Sequence, residues 1–161
     1  GDWGEDRLIP DIIRSFYNNE HVSIQNPKAV KPWQHVLDFL NGILILSENL
    51  FDNGSDFQGP WNFGPNKNDA KDVEWVVNYM CKLWKNGAKW ICNKKVSDNL
   101  NLPTSYLNCD KAIQKLNWKP SIPTKDSFKL VVDWHKAHLS KLNVQEITTA
   151  QIMNFEKNTR K

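Results

Sequence analysis

Three observations predict an α/β fold: short runs such as Val22-Ser23-Ile24-Gln25 alternate apolar and polar residues, longer runs repeat apolar residues at helical spacing, and Gly, Pro, Asn and Asp clusters separate the two. Strands alternating with amphipathic helices fit α/β or α+β, and the pattern by itself does not choose. At 161 residues with 40% hydrophobic residues and eight tryptophans, the chain is long enough for one domain with its own core.

The first helix is expected from about Arg7 to Asn18, with Leu8, Ile9, Ile12, Ile13, Phe16 and Tyr17 at helical spacing. Pro10 falls in its first turn, where a missing N–H is tolerated. Val22 to Gln25 follows as a strand, and Asn26-Pro27 is turn chemistry. A longer helix carries Val36, Leu37, Leu40, Ile43, Leu44 and Leu50, so rich in apolar positions that burial on more than one side is expected, and Asp52-Asn53-Gly54 stops it. Gly59 to Gly64 reads as a short strand between Gly/Pro turns, and Asp69 as the N-cap of the next helix. On that helix Val73, Val76, Val77, Met80, Leu83 and Trp84 share one face. Lys89 to Cys92 is a further strand, 93–101 a polar loop, Leu107 to Asp110 an extended segment, and Lys111 to Leu116 a small helix. Thr124 is placed to cap a final long helix through Phe128, Leu130, Val131, Trp134 and Leu139, with fraying beyond Arg160.

Composition excludes several classes. The longest apolar run, Leu37 to Leu46, is broken by Asp38, Asn41 and Gly42, far short of the roughly 20 residues that span a bilayer. A net charge of +3 without a run of like charges argues against nucleic acid. Cys81, Cys92 and Cys109 match neither a metal pattern nor a paired framework, and read as buried free thiols of a reducing cytoplasm. The opening Gly1-Asp2-Trp3-Gly4, without an initiator Met or an apolar leader, suggests an excised segment.

Among residues able to do chemistry, His35 stands in an aromatic, apolar block and is read as structural rather than as a general base. His135 and His138 are three apart but lack a third metal ligand at a supporting spacing, and Glu5-Asp6 suits a helix start better than a carboxylate pair. The tryptophans are expected to be mostly core or interface anchors. No catalytic and no metal residue is assigned.

Several blocks together carry a resemblance: Gly1-Asp2-Trp3-Gly4-Glu5-Asp6-Arg7-Leu8-Ile9-Pro10, Lys31-Pro32-Trp33-Gln34-His35-Val36-Leu37-Asp38, Gly59-Pro60-Trp61-Asn62-Phe63-Gly64-Pro65, Leu116-Asn117-Trp118-Lys119-Pro120, Trp134-His135-Lys136-Ala137 and Thr149-Ala150-Gln151-Ile152. They resemble the CDP-glucose 4,6-dehydratases of the extended short-chain dehydrogenase/reductase superfamily over nearly the whole chain. The resemblance implies that residues 1–161 are the carboxy-terminal portion of such a fold, mostly its small α+β substrate-binding domain. The Rossmann-type NAD-binding domain, with its glycine motif and catalytic tyrosine and lysine, would lie upstream. It further implies a cytoplasmic, homo-oligomeric enzyme that takes a CDP-sugar and NAD, removes water and yields a 4-keto-6-deoxy sugar, with this chain alone inactive.

Site residues follow from the same resemblance. Arg7 and Leu8 stand where the family approaches the nucleotide, and Lys31 replaces an arginine that takes the diphosphate, keeping the charge but losing the planar fork. Gln25 replaces the arginine of the family's I-R-N-P at a strand end that lines the base, and its amide offers donors and an acceptor to a cytosine edge. Ser23 shares that strand face. Asn62, flanked by Trp61 and Phe63, either contacts the nucleotide, as in Y-N-[IVF]-G, or caps the Gly64-Pro65 turn. The segment Leu100 to Asp110 departs from the family, and no contact is carried over from it. A different nucleotide-sugar epimerase or dehydratase, and a non-catalytic binding module, remain the alternatives.

Overall fold

The computed structural model describes residues 3–93 and 106–159. Helix α1 (Leu8–Tyr17) leads into strand β1 (Val22–Ile24), and β2 (Val30–Lys31) precedes the long helix α2 (Val36–Asn53). After two short 3₁₀ turns, Gly54–Phe57 and Lys67–Asp69, β3 (Lys71–Asp72) runs directly into α3 (Val73–Trp84). Strand β4 (Trp90–Cys92), α4 (Asp110–Leu116), α5 (Thr124–Leu139) and α6 (Val144–Thr159) complete the order. The sheets are minimal: β1 pairs in parallel with β4, and β2 pairs antiparallel with β3, Val30 opposite Asp72 and Lys31 opposite Lys71.

The main core forms where the apolar stripes of α1, α3 and α5 meet β1. Ile12, Ile13, Phe16, Val22, Ile24, Val76, Val77, Met80, Trp84, Phe128 and Val132 are all buried there, as the periodicity of α1 and α3 requires. A second cluster gathers Phe63, Cys109, Ala112, Leu116 and Trp118 against Ile45 and Leu46 of α2. Gly42 on α2 is obligatory at this contact, since a Cβ there would overlap Phe63 ring carbons at 2.7 and 2.8 Å. Cys109 is buried in the same cluster, its Sγ accepting from the Gly64 amide at 3.1 Å, and burial pushes its thiol pKa up.

The second cluster is locked by Asp38. Its carboxylate, 1% exposed, accepts from the Ser121 amide and hydroxyl, each at 2.8 Å, and from the Ile122 amide at 3.0 Å. Its carbonyl accepts from the Trp118 indole at 3.1 Å. A buried carboxylate is tolerated because several donors converge on it.

Several sequence expectations are corrected. Residues 58–66 form no strand; Gly59-Pro60 and Gly64-Pro65 leave a connection packed by Trp61 and Phe63. Asp72, not Asp69, caps α3, accepting from the Trp75 amide at 2.7 Å, while Asp69 closes the preceding 3₁₀ turn. Thr124 does not cap α5: Pro123 is the N-cap, and the Thr124 hydroxyl donates to the Asp69 carbonyl. A further helix, α6, follows α5, held to it by Trp134 donating to Thr148 and Gln151 donating to the Leu130 carbonyl. Cys92 is exposed rather than buried. Trp118 and Trp84 are core anchors as expected, whereas Trp3 is exposed. Most of the polar loop expected over 93–101, and the end beyond Arg160, lie outside the described residues.

Helix α2 departs most from its pattern. Only Asp38 and Gly42 are buried along it, while Val36, Phe39, Leu40, Ile43, Leu44, Leu50 and Phe51 are exposed. One face meets the second cluster and the other carries the unburied apolar residues, so burial on more than one side is not realised among the described residues.

Two outcomes are expected. Asp38→Ala leaves the Ser121 and Ile122 amides without their acceptor and should cost about 3 kcal/mol in a denaturant melt, from the loss of charge-assisted hydrogen bonds. A chain of these residues should also bind a hydrophobic dye and self-associate with rising concentration. Combining Leu44→Lys with Phe51→Lys on the face where these side chains are 63% and 89% exposed should suppress both. Sedimentation at several concentrations checks this, and a monomer that binds no dye would contradict it.

Candidate functional site

A cavity of about 550 Å³ opens where β1, the turn after it and β2 meet the starts of α1 and α3. Leu8, Ser23, Ile24, Gln25, Asn26, Ala29, Val30, Lys31, Pro32 and Val73 line it. Its location follows a general rule of parallel pairing: beyond the carboxyl end of a strand, backbone and side-chain groups turn away from the ladder and become available to a ligand. Its size lies in the range of small-molecule sites, about 300–1,000 Å³.

The walls are set by backbone bonds of the first turn of α3. The Val73 amide donates to the Ala29 carbonyl at 3.0 Å and the Glu74 amide to the Pro27 carbonyl at 2.8 Å, while the Trp75 amide is capped by Asp72. The Val73 and Glu74 amides, which a helix start ordinarily leaves unsatisfied, are thereby spent on fixing the turn between β1 and β2. Lys28 on that turn is paired with Glu74 at 2.6 Å. Helix α1 differs: Arg7 is its N-cap in extended conformation and makes no side-chain capping bond, so the first turn of α1 brings Leu8 to the cavity with its dipole uncovered by a capping side chain.

Of the six residues singled out in the sequence, the fold brings Leu8, Ser23, Gln25 and Lys31 to this one cavity. Ser23 is exposed between buried Val22 and Ile24, the alternation of a strand with one covered face, and Gln25, just past the strand's end, is exposed as well. Arg7 is exposed one residue before Leu8, outside the lining itself. Asn62 is not brought to the cavity; it is exposed beside the second cluster, its amide donating to the Asn108 carbonyl at 3.1 Å. Asn26, Ala29, Val30 and Val73 line the cavity without having been singled out. The Asn26-Pro27 turn was the one signal for Asn26, and nothing local marked Val73, whose place depends on the bond from α3 to Ala29.

The histidines lie elsewhere. His35 is the N-cap of α2, its Nδ1 accepting from the Leu37 amide, and burial lowers its pKa while Asp38 opposes the shift. His135 is buried between Trp3 and Trp134, ring centroids 5.1 Å away on both sides, with His138 stacked on Trp134. Burial is the largest cause of a His135 pKa pushed down to about 4, and the charge of His138 is the smallest of the contributions. Among the described residues no group of His, Cys, Asp or Glu is arranged to hold a metal ion, and no helix is long and apolar enough to cross a membrane.

No family model matches the chain. A CDP-glucose 4,6-dehydratase of Salmonella typhimurium is 43% identical over 139 residues, which is 85% of this chain and 38% of the relative. The chain is a relative of this CDP-glucose 4,6-dehydratase. It therefore spans less than half the length of the curated relative it matches. Among solved structures, the UDP-glucuronic acid 4-epimerase of Bacillus cereus, in complex with UDP-glucuronic acid and NAD, superimposes with a TM-score of 0.64 at 15% identity, over 81% of this chain and 40% of that one. The UDP-glucose 4-epimerase of Thermotoga maritima, solved with UDP-glucose, gives 0.64 at 19% identity over 85% and 41%. The fold is thus the mixed α/β architecture of part of these nucleotide-sugar epimerases, as the resemblance implied.

The titration of His135 has a consequence for stability. Between its ordinary value of 6.5 and about 4, the unfolded chain binds a proton that the folded chain refuses, so the folded state is stabilised above pH 6.5 and loses that stabilisation as pH falls through the window. The loss should be about 2 kcal/mol between neutrality and pH 4, read from melts as a function of pH. His135→Phe, which keeps an aromatic ring between Trp3 and Trp134, should flatten that part of the profile.

Proposed function

We propose that this chain is the carboxy-terminal, substrate-binding portion of a nucleotide-sugar 4,6-dehydratase, and that the cavity at the end of β1 takes the nucleotide diphosphate of a CDP-sugar. The observation that carries the proposal is the meeting of Leu8, Ser23, Gln25 and Lys31, chosen from separate stretches of sequence, on one cavity. The likeness to a CDP-glucose 4,6-dehydratase supports cytidine diphosphate as the nucleotide and glucose as the sugar.

In this reading Gln25 just past the end of β1 and Ser23 on its exposed face present an amide and a hydroxyl to the base, and Lys31 supplies a point charge to the diphosphate. Leu8 gives the apolar wall, and Arg7 at the start of α1 adds a cation at the rim. Asn62, outside the cavity and bonded to the Asn108 carbonyl, is given no part in this reading. NAD is the cofactor proposed for the complete enzyme. The residues described do not fit it: no strand here passes through a glycine-rich turn into a helix, the arrangement that takes a dinucleotide's pyrophosphate. Binding and orientation of the sugar nucleotide are what this chain contributes, and no redox step is routed through it.

The UDP-sugar epimerases with the same fold favour one rival, the same cavity with a different base or sugar. Affinities of the complete protein for CDP-glucose, UDP-glucose and their nucleotides separate the two, and preference for the uridine series would overturn the cytidine assignment. For Lys31, calorimetric titration with CDP should show Lys31→Ala weakened by about 1.5–3 kcal/mol, the range for a hydrogen bond to a charged group. Lys31→Arg should bind as well or better, and added salt should weaken the wild type more than the alanine variant. Equal affinity for wild type and Lys31→Ala would return Lys31 to the role of an ordinary solvated lysine.

A further inference from the structure

The antiparallel ladder of β2 and β3 sets Lys71 directly opposite Lys31. Residues facing one another across an antiparallel pair project to the same side with Cβ atoms about 4.5–5.5 Å apart, and like charges in that relation repel. Among the described residues, the carboxylates that flank this ladder are engaged elsewhere. Asp72 caps the Trp75 amide from the ladder position opposite Val30, and Glu74 is paired with Lys28. The Lys71 ammonium instead lies 5.6 Å from the centre of the Trp75 ring, at the outer edge of the cation–π range, where the attraction is weak. Its backbone, by contrast, is held firmly, with the Trp33 indole donating to the Lys71 carbonyl at 2.9 Å. The result is a strand pair that sets two lysines at facing positions, one of them on the wall of the cavity and, among the described residues, neither in a salt bridge.

We propose that Lys71 is a second cation for the diphosphate, turning from Trp75 to share the anion with Lys31. The inference rests on the reading of the cavity as a nucleotide diphosphate site and names a specificity-determining residue of that site. A diphosphate carries more than one negative charge, and a lysine facing Lys31 adds to the cations that Lys31 on the wall and Arg7 at the rim bring to it. An anion placed between Lys31 and Lys71 converts the cross-strand repulsion into attraction, so the pair favours diphosphate over monophosphate and over the bare nucleoside.

Calorimetry on the complete protein with CDP, CMP and cytidine tests it, using Lys71→Met, which keeps an unbranched side chain against Trp75, and Lys71→Arg. Lys71→Met should weaken CDP about tenfold, CMP less, and cytidine not at all, while Lys71→Arg binds CDP like the wild type. Without ligand at low salt, Lys71→Met should melt no lower than the wild type, because it removes the repulsion; a residue whose only role is to brace Trp75 would lower the melting temperature. Unchanged CDP affinity in Lys71→Met, with CDP still weakened in Lys31→Ala, overturns the role of Lys71 and leaves the nucleotide site standing. A wild-type protein that takes up none of the three ligands overturns the nucleotide site itself.

Discussion

The geometry of the cavity depends on how the first turn of α3 satisfies its amides. A helix start presents donors with no partner inside the helix, and here each finds one outside it: Val73 on Ala29, Glu74 on Pro27 and Trp75 on Asp72. The first two of those bonds pull the turn between β1 and β2 onto the end of α3, bring β2 beside β3 and put Lys31 opposite Lys71. The same turn that lines the cavity is thus anchored to the helix whose apolar face fills the core, so the site inherits the rigidity of the packing beneath it. A site built this way needs few polar residues of its own, because backbone geometry does the positioning.

Asp38 plays the corresponding part for the second cluster. One buried carboxylate in the first turn of α2 collects three donors from Ser121 and Ile122, and the backbone carbonyl of the same residue holds Trp118. Segments some eighty residues apart in sequence are joined by charge-assisted bonds in a region where the apolar contacts are modest. The His35 cap, one helical turn earlier, fixes the start of the same helix, its Nδ1 accepting from the Leu37 amide.

Chemically, the described residues suit recognition. Lys31 and the amides of Gln25 and Asn26 line the cavity beside apolar residues such as Leu8, while His35 serves as a cap and His135 and His138 belong to an aromatic stack. The exposed apolar side of α2 has a natural explanation in the same terms: a helix apolar on two sides is designed for two neighbours, and the second cluster supplies one of them. The chain spans 38% of the curated dehydratase and 40% of the Bacillus cereus epimerase.

What the sequence determined was whatever rests on local periodicity and on motif. The stripes of α1 and α3, the alternation of β1, and the helical tract of α2 are written in residues that are neighbours along the chain, and the motif blocks carry the dehydratase likeness by themselves. Tertiary structure decided the rest. Whether 58–66 became a strand depended on a pairing partner it does not have, and whether Asp69 or Asp72 capped α3 depended on where β3 paired with β2. Helix α6 was missed because its sequence carries no strong apolar stripe and is held by polar contacts to α5 that no window of sequence displays. The cavity is the clearest case: Leu8, Gln25, Lys31 and Val73 are separated along the chain, and only hydrogen bonds between distant backbone groups, whose energy depends on three-dimensional approach rather than on residue type, bring them to one place.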